Sequence, residues 1–346
     1  MSRVNKVSIG AFNLYIGFAM ICVVLVHTIE LFSEQQLSIV VKVLFEALSF
    51  IGVAGFAVIS GYKLKIPRDL KSYIKKISKE YLKMYYLFGA ITVVFFSIIH
   101  LACFRYIQGT IKETILLLIG FAFAVYPAIP IGDVVIYSCG PLYFIIAFLI
   151  AEILTVIILN SKFKFKEVII LALMLMGSIL LDIFPGCPFA LTSAMLLTGC
   201  FYTGFKLKEK QFFEKKRSFI VLLFAVVISA GIYCLKYITF FEKIHLLIEI
   251  IAGIIAGTVL VYLCVVYSGN KNRLFSLMKK TGRVSFFVLG AHTIEYFAIP
   301  WYLVVNKISV LSPELGVLII YIVRLIIIFT IVKISEYLFK KRLLRS

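Results

Sequence analysis

GAFNLYIGFAMICVVLVHTIELF, residues 10–32, contains no Lys, Arg or Asp, and its one carboxylate, Glu30, lies near its end. At about 1.5 Å of rise per residue, a helix over this stretch is long enough to cross the hydrocarbon core of a bilayer. Such a run at the start of a chain is either a secretory leader or a retained span. Arg3 and Lys6 precede it as they would a leader. The run is longer than a leader's apolar core, however, and has no small-residue cleavage site. It reads as a first transmembrane helix.

The remainder of the chain agrees. Of its 346 residues, 62% are hydrophobic and 15% charged, whereas a soluble domain has about a quarter charged residues. No segment alternates apolar and polar residues with the short period of a membrane β-barrel. The predicted fold class is therefore all-α, a polytopic integral membrane helix bundle. Apolar runs fall near 10–32, 39–62, 84–104, 114–132, 141–159, 167–184, 189–205, 218–235, 246–268, 284–304 and 316–339. Basic residues cluster at 1–9, 63–83, 162–166, 206–217, 271–283 and 333–346. The positive-inside rule places all of these in the cytoplasm, both termini included. An even number of crossings follows, so one of the eleven runs does not cross. Pro127 and Pro130 interrupt the run 114–132, and reading it as re-entrant or peripheral leaves about ten transmembrane helices. Residues 1–346 are then one transmembrane domain with no appended soluble domain.

The net charge of +19 raises a nucleic-acid partner, but the lysines and arginines sit in short segments between spans, where topology alone accounts for them. No nucleic acid is predicted. The segment YIKKISKEYLKMYY, residues 73–86, is a basic helix with interleaved tyrosines. Its lysines suit membrane lipid headgroups or an anionic ligand such as a nucleotide phosphate. The seven cysteines are scattered without a C-x-x-C pair, so neither a disulfide framework nor a metal site is predicted.

Five segments in order resemble the acyltransferase-3 family of membrane-bound, acyl-CoA-dependent transferases of envelope components. NLYIGFAMICVVLVHT (13–28) is similar to the family's opening helix, which closes on a histidine, here His27. GFAVISGYKL (55–64) resembles its F-F-x-x-S-G-[FY] signature through Phe56, Ser60, Gly61 and Tyr62. The basic run 73–86 stands where the family has an arginine-rich, aromatic entry to the third span. PLYFIIAFLIAEIL (141–154) resembles its L-W-F-L segment, with Tyr143 for the tryptophan. GRVSFFVLGAHT (282–293) resembles its late serine–histidine element through Gly282, Ser285 and His292. One departure is clear: eleven positions before His27 the family has Arg or Lys, and this chain has Ile16.

The resemblance implies a plasma-membrane enzyme that moves an acyl group, acetyl first among them, from cytoplasmic acyl-CoA to a hydroxyl. The implied acceptor is an envelope carbohydrate or a lipid-linked glycan. It implies His27 and His292 at the reacting centre, and Lys75, Lys76, Lys79 and Lys83 toward the CoA phosphates. Ser60, Tyr62, Tyr143 and Ser285 would line the substrate site. The missing cation at Ile16 implies another cation in its role, a different ligand, or a degenerate member that exports an envelope glycolipid.

The residues support the chemistry on their own terms. A thioester is already activated, whereas a hydroxyl is a poor nucleophile until a base takes its proton, and histidine titrates near the working pH. His27 and Glu30 are i, i+3 on one helix face, so the carboxylate can orient the imidazole. His292 and Glu295 repeat this spacing. The shared letters His-Thr-Ile-Glu read as coincidence, because both helices run the same way and are not inverted halves. Counted from the ends of the runs, His27 lies about 25 Å into its helix and His292 about 12 Å. The two are thus expected at different depths, His292 nearer the donor side. Ser60, next to Gly61, reads as a packing or ligand-orienting group more than a nucleophile. Intramembrane His and Glu also suit a proton-coupled transporter, though no inverted hydropathy repeat accompanies them.

Overall fold

The computed structural model describes residues 9–32, 37–308 and 312–343, so Arg3 and Lys6 lie outside the described residues. Helices α1 (Ile9–Ile29) and α2 (Ile39–Lys63) are followed by the long α3 (Leu70–Phe104). The Asp69 carboxylate caps α3 by accepting from the backbone N–H groups of Lys71 and Ser72. Helix α4 (Ile107–Ala122) turns back antiparallel along α3, held by Ser97 to Thr114 and by the Tyr85 hydroxyl to the Phe121 carbonyl. A small hairpin, β1 (Ile129–Ile131) and β2 (Val134–Ile136), comes next. The chain continues through α5 (Tyr143–Asn160), α6 (Lys166–Ile183), α7 (Leu191–Glu209), α8 (Phe219–Cys234) and α9 (His245–Tyr267). It closes with α10 (Arg273–Arg283), α11 (Ser285–Ala298), α12 (Trp301–Ile308) and α13 (Pro313–Leu343).

The all-α membrane bundle is as expected. Seven helices are long and apolar enough to cross a membrane: α1, α2, α3, α5, α8, α9 and α13, with α5 counted from Gly140 and α8 through Tyr237. Helices α11 and α12 together have the length and apolarity of one more span and are bent by 73°, at Ile299–Pro300, where proline cannot continue the ladder. Helices α6 and α7 have the length of a span but are more polar. Helix α6 carries Lys166, Glu167 and Asp182. Helix α7 is buried along most of its length, so its Thr, Ser and Gly residues face other helices instead of lipid. With these the bundle counts about ten. No helix runs across 114–132. Helix α4 stops at Ala122, and the prolines fall in the irregular chain and hairpin that follow. The backbone freed there is satisfied by neighbours, with Phe189 and Ala190 donating to the carbonyls of Phe123 and Ala124 and Cys139 to that of Val125.

Several basic segments meet at one end. Lys208 donates to the Leu64 carbonyl and Lys166 to that of Leu159. Lys206 pairs with Glu167 and Glu209, and the Arg217 backbone N–H donates to the Tyr262 hydroxyl. Intramembrane charges are matched. Lys236 serves both Glu46 and Glu249, Asp182 lies 3.9 Å from His245, and Glu152 accepts from the hydroxyls of Tyr73 and Tyr81.

Two close helix approaches position the site. A Cβ on Gly17 would stand 1.8 Å from the Met278 carbonyl oxygen, and one on Gly282 2.0 Å from that of Asn13. The end of α10 therefore lies against α1 backbone to backbone.

Candidate active site

His27 closes the last turn of α1, and its Nδ1 bonds the Glu30 carboxylate at 2.6 Å. His292 lies on α11 and bonds Glu295 from Nδ1 at 2.7 Å. A carboxylate accepts, so each ring donates from Nδ1 and keeps its lone pair on Nε2. The two imidazoles come from opposite ends of the chain and stand with centroids 5.3 Å apart. Tyr296 borders both, at 5.5 Å from the His27 ring and 6.2 Å from the His292 ring. His292 and Glu295 are buried, whereas the side chains of His27 and Glu30 are 19% and 39% exposed. One pair is therefore sealed and the other opens toward an entering molecule. The buried Nε2 of His292 has no hydrogen-bond partner among the described residues.

This meeting corrects the expected separation in depth. That expectation takes residue 284 as the membrane boundary. In the structure the end of α10 packs on α1, with Gly282 level with Asn13, and α11 starts from there. From Asn13 to His27 is about 21 Å along α1 and from Ser285 to His292 about 10 Å along α11, and the packing of α11 on α1 and α13 brings the rings to 5.3 Å.

A cation stands at the centre of the cluster. Arg324 on α13 is fully buried. Its Nε and Nη2 donate to Glu295 at 2.8–3.2 Å. Its Nη1 donates to the His27 carbonyl at 2.7 Å and to the Thr28 hydroxyl at 3.2 Å. The bend after α11 returns Trp301 over Glu295, where the indole N–H donates to the carboxylate at 2.9 Å. Glu295 thus accepts from His292, Arg324 and Trp301 and is held as a carboxylate. Ile16 packs in the core of α1, and the buried cation beside the histidines is Arg324 of α13.

A cavity of about 400 Å³ approaches the histidines between α1, α2, α3, α5 and α10–α11. Its lining includes Ser60, Ser285, Asn13, Tyr81, Lys63 and Arg283 among apolar side chains, and extends to Val23 and Leu289. Val23 and Leu289 precede His27 and His292 by one helical turn. Of the residues expected to contact substrate, Ser60 and Ser285 line this cavity. Tyr143 instead stacks on Tyr126 at 3.7 Å. Tyr62 does not line it and donates to Glu214 at 2.8 Å. The four lysines of α3 are exposed and absent from the lining. On α3 the side chains of Tyr73, Ile77, Tyr81 and Tyr85 recur every fourth residue on the packed face, which turns Lys75, Lys76, Lys79 and Lys83 outward. Sequence patterning alone does not mark Arg324, Trp301, Lys63 or Arg283 for the site. For Arg324 the available signal is a lone cation in an apolar run.

No curated protein and no solved structure matches the chain. The acyltransferase-3 family, described as an acyltransferase domain, matches residues 12–333, which holds every side chain of the cluster and cavity. The chain belongs to the acyltransferase-3 family of membrane acyltransferases.

Proposed function

We propose that the protein moves an acyl group, acetyl in the simplest case, from acyl-CoA to a hydroxyl of an envelope carbohydrate or lipid-linked glycan. The observation that carries this reading is the meeting of two histidine–carboxylate pairs one turn beyond a cavity reached from the lysine-rich end. By the positive-inside rule that end faces the cytoplasm of a plasma-membrane protein, where acyl-CoA is found.

Glu30 holds the Nδ1–H of His27, leaving Nε2 to take the proton of the acceptor hydroxyl. The oxygen attacks the thioester carbonyl carbon, and the C–S bond breaks as the tetrahedral intermediate collapses. The departing thiolate takes the proton back from the imidazolium, so free CoA and the ester leave with no net proton change. Glu30 stabilises the imidazolium between these steps. His292 is held as a neutral ring by a carboxylate already paired to Arg324, with its bare Nε2 on the sealed side of the centre. Exposure of His27 and Glu30 suits an acceptor arriving from the side opposite the donor.

Mass spectrometry of envelope glycans from cells with and without the protein tests the reading. The expected result is an acyl mass increment that disappears on deletion and is not restored by His27→Ala at equal expression. Glycans unchanged by deletion, or full restoration by His27→Ala, would overturn it. Ion-dependent solute flux through proteoliposomes without acyl transfer would point to transport.

A further inference from the structure

We infer that Lys63 and Arg283, at the basic mouth of the cavity, hold the phosphate groups of the donor, and that the lysines of α3 do not. This inference rests on the acyl-CoA reading above and assigns the anion subsite within it. The ligand class is a thioester carried on a long neutral arm that ends in a phosphorylated nucleotide.

The first support is the state of the two cations. Lys63 and Arg283 both line the cavity, and among the described residues neither lies within ion-pair distance of a carboxylate. The α3 lysines are likewise without a carboxylate among the described residues, and what sets Lys63 and Arg283 apart is that they line the cavity. The Lys63 ammonium has only the Phe12 ring, 5.6 Å away. Two unneutralised cations at the rim of one cavity make a field that an anion satisfies.

Their placement adds a second support. Arg283 ends α10, and Ser285 begins α11 and also lines the cavity. The negative end of α10 and the positive start of α11 meet there and offset each other, so the positive field at the mouth comes from the two side chains. The α3 lysines lack such company, since only Tyr81 of that helix reaches the lining.

Length supplies the third. From Ser285 to His292 is about 10 Å along α11, and from Asn13 to His27 about 21 Å along α1. An extended pantetheine arm spans this order of distance, so phosphates at the mouth would put the thioester carbonyl beside His27 and His292. The cavity between is mostly apolar, with Asn13, Ser60, Ser285 and Tyr81 as its few uncharged polar groups, which suits a neutral arm.

The test is binding to the purified full-length protein in detergent, with two probes. One is acetyl-CoA, and the other is acetyl-N-acetylcysteamine, the same thioester without phosphates. Lys63→Met and Arg283→Met are each expected to weaken acetyl-CoA by about tenfold and to leave the phosphate-free thioester unaffected. Lys75→Met/Lys79→Met should change neither. Lys63→Arg should bind acetyl-CoA as the wild type does, which separates charge loss from misfolding. Acetyl-CoA binding that survives Lys63→Met/Arg283→Met would overturn the assignment, and selective loss in the α3 double variant would move the subsite there. Failure of the wild-type protein to bind either probe would defeat the acyl-CoA reading itself.

Discussion

Arg324 joins three helices that no local sequence feature connects. Its guanidinium grips Glu295 on α11 and the last turn of α1 at His27 and Thr28. An ion pair this deep need not add net stability, because both charges lost their hydration to form it. Removing one member is a different matter, since it strands the other in a low-dielectric interior. Arg324→Met is expected to destabilise the protein by about 3–5 kcal/mol, read as a shift in the unfolding midpoint in mixed micelles. Arg324→Lys keeps the charge but loses the planar fork that reaches both Glu295 and the α1 carbonyl, so it should fall between. Equal stability of Met, Lys and wild type would refute this role. The His-x-x-Glu spacing makes His27, Glu30 and His292, Glu295 legible as pairs from sequence alone, because each pair shares one helix face. Arg324 is legible only as a charge in the wrong place, because its partner lies 29 residues away across a bend at Pro300 that periodicity does not resolve.

Among the elements, α10 and α11 decide whether the site forms. Their sequence shows one basic segment followed by one apolar run starting at residue 284. In the chain Gly17 and Gly282 let the end of α10 lie directly against α1. Small residues in a span announce close approach, but not which helix approaches. Gly282→Val would drive a branched side chain toward the Asn13 carbonyl, which lies only 2.0 Å from a Cβ at that position. Backbone on both sides of that contact cannot yield by side-chain rotation. The expected cost is about 1–3 kcal/mol, measured by thermal unfolding in detergent. The shift should also move Arg283 and Ser285 at the cavity wall, so acetyl-CoA binding should fall with stability. Wild-type binding by a destabilised Gly282→Val protein would mean that the mouth does not depend on this contact.

Across the whole molecule, the rule that long apolar runs span accounts for most of the helix bundle, for a physical reason. A bilayer penalises charge so strongly that segments sort by composition irrespective of how they pack. The rule loses resolution where protein replaces lipid as the neighbour. Helix α7 is polar because other helices surround it, and α4 ends at Ala122 before an irregular stretch, with Pro127 and Pro130, that the turn before α7 covers. Both cases bear on sidedness, which accessibility can test. Lys164 lies in the α5–α6 turn and Asp133 at the tip of the β1–β2 hairpin, and both are exposed. The hairpin is held near Gly186 at the opposite end from Lys166 and Lys208, since a Cβ on Gly186 would meet Ile129 at 2.1 Å. In intact cells a membrane-impermeant thiol reagent should label Asp133→Cys, and Lys164→Cys should react only after the membrane is opened. The native cysteines are all free, so the same labelling of the parent chain sets the background. Labelling of Lys164→Cys from outside would invert the molecule. The donor cavity would then open away from the cytoplasm, and acyl-CoA could not be its ligand.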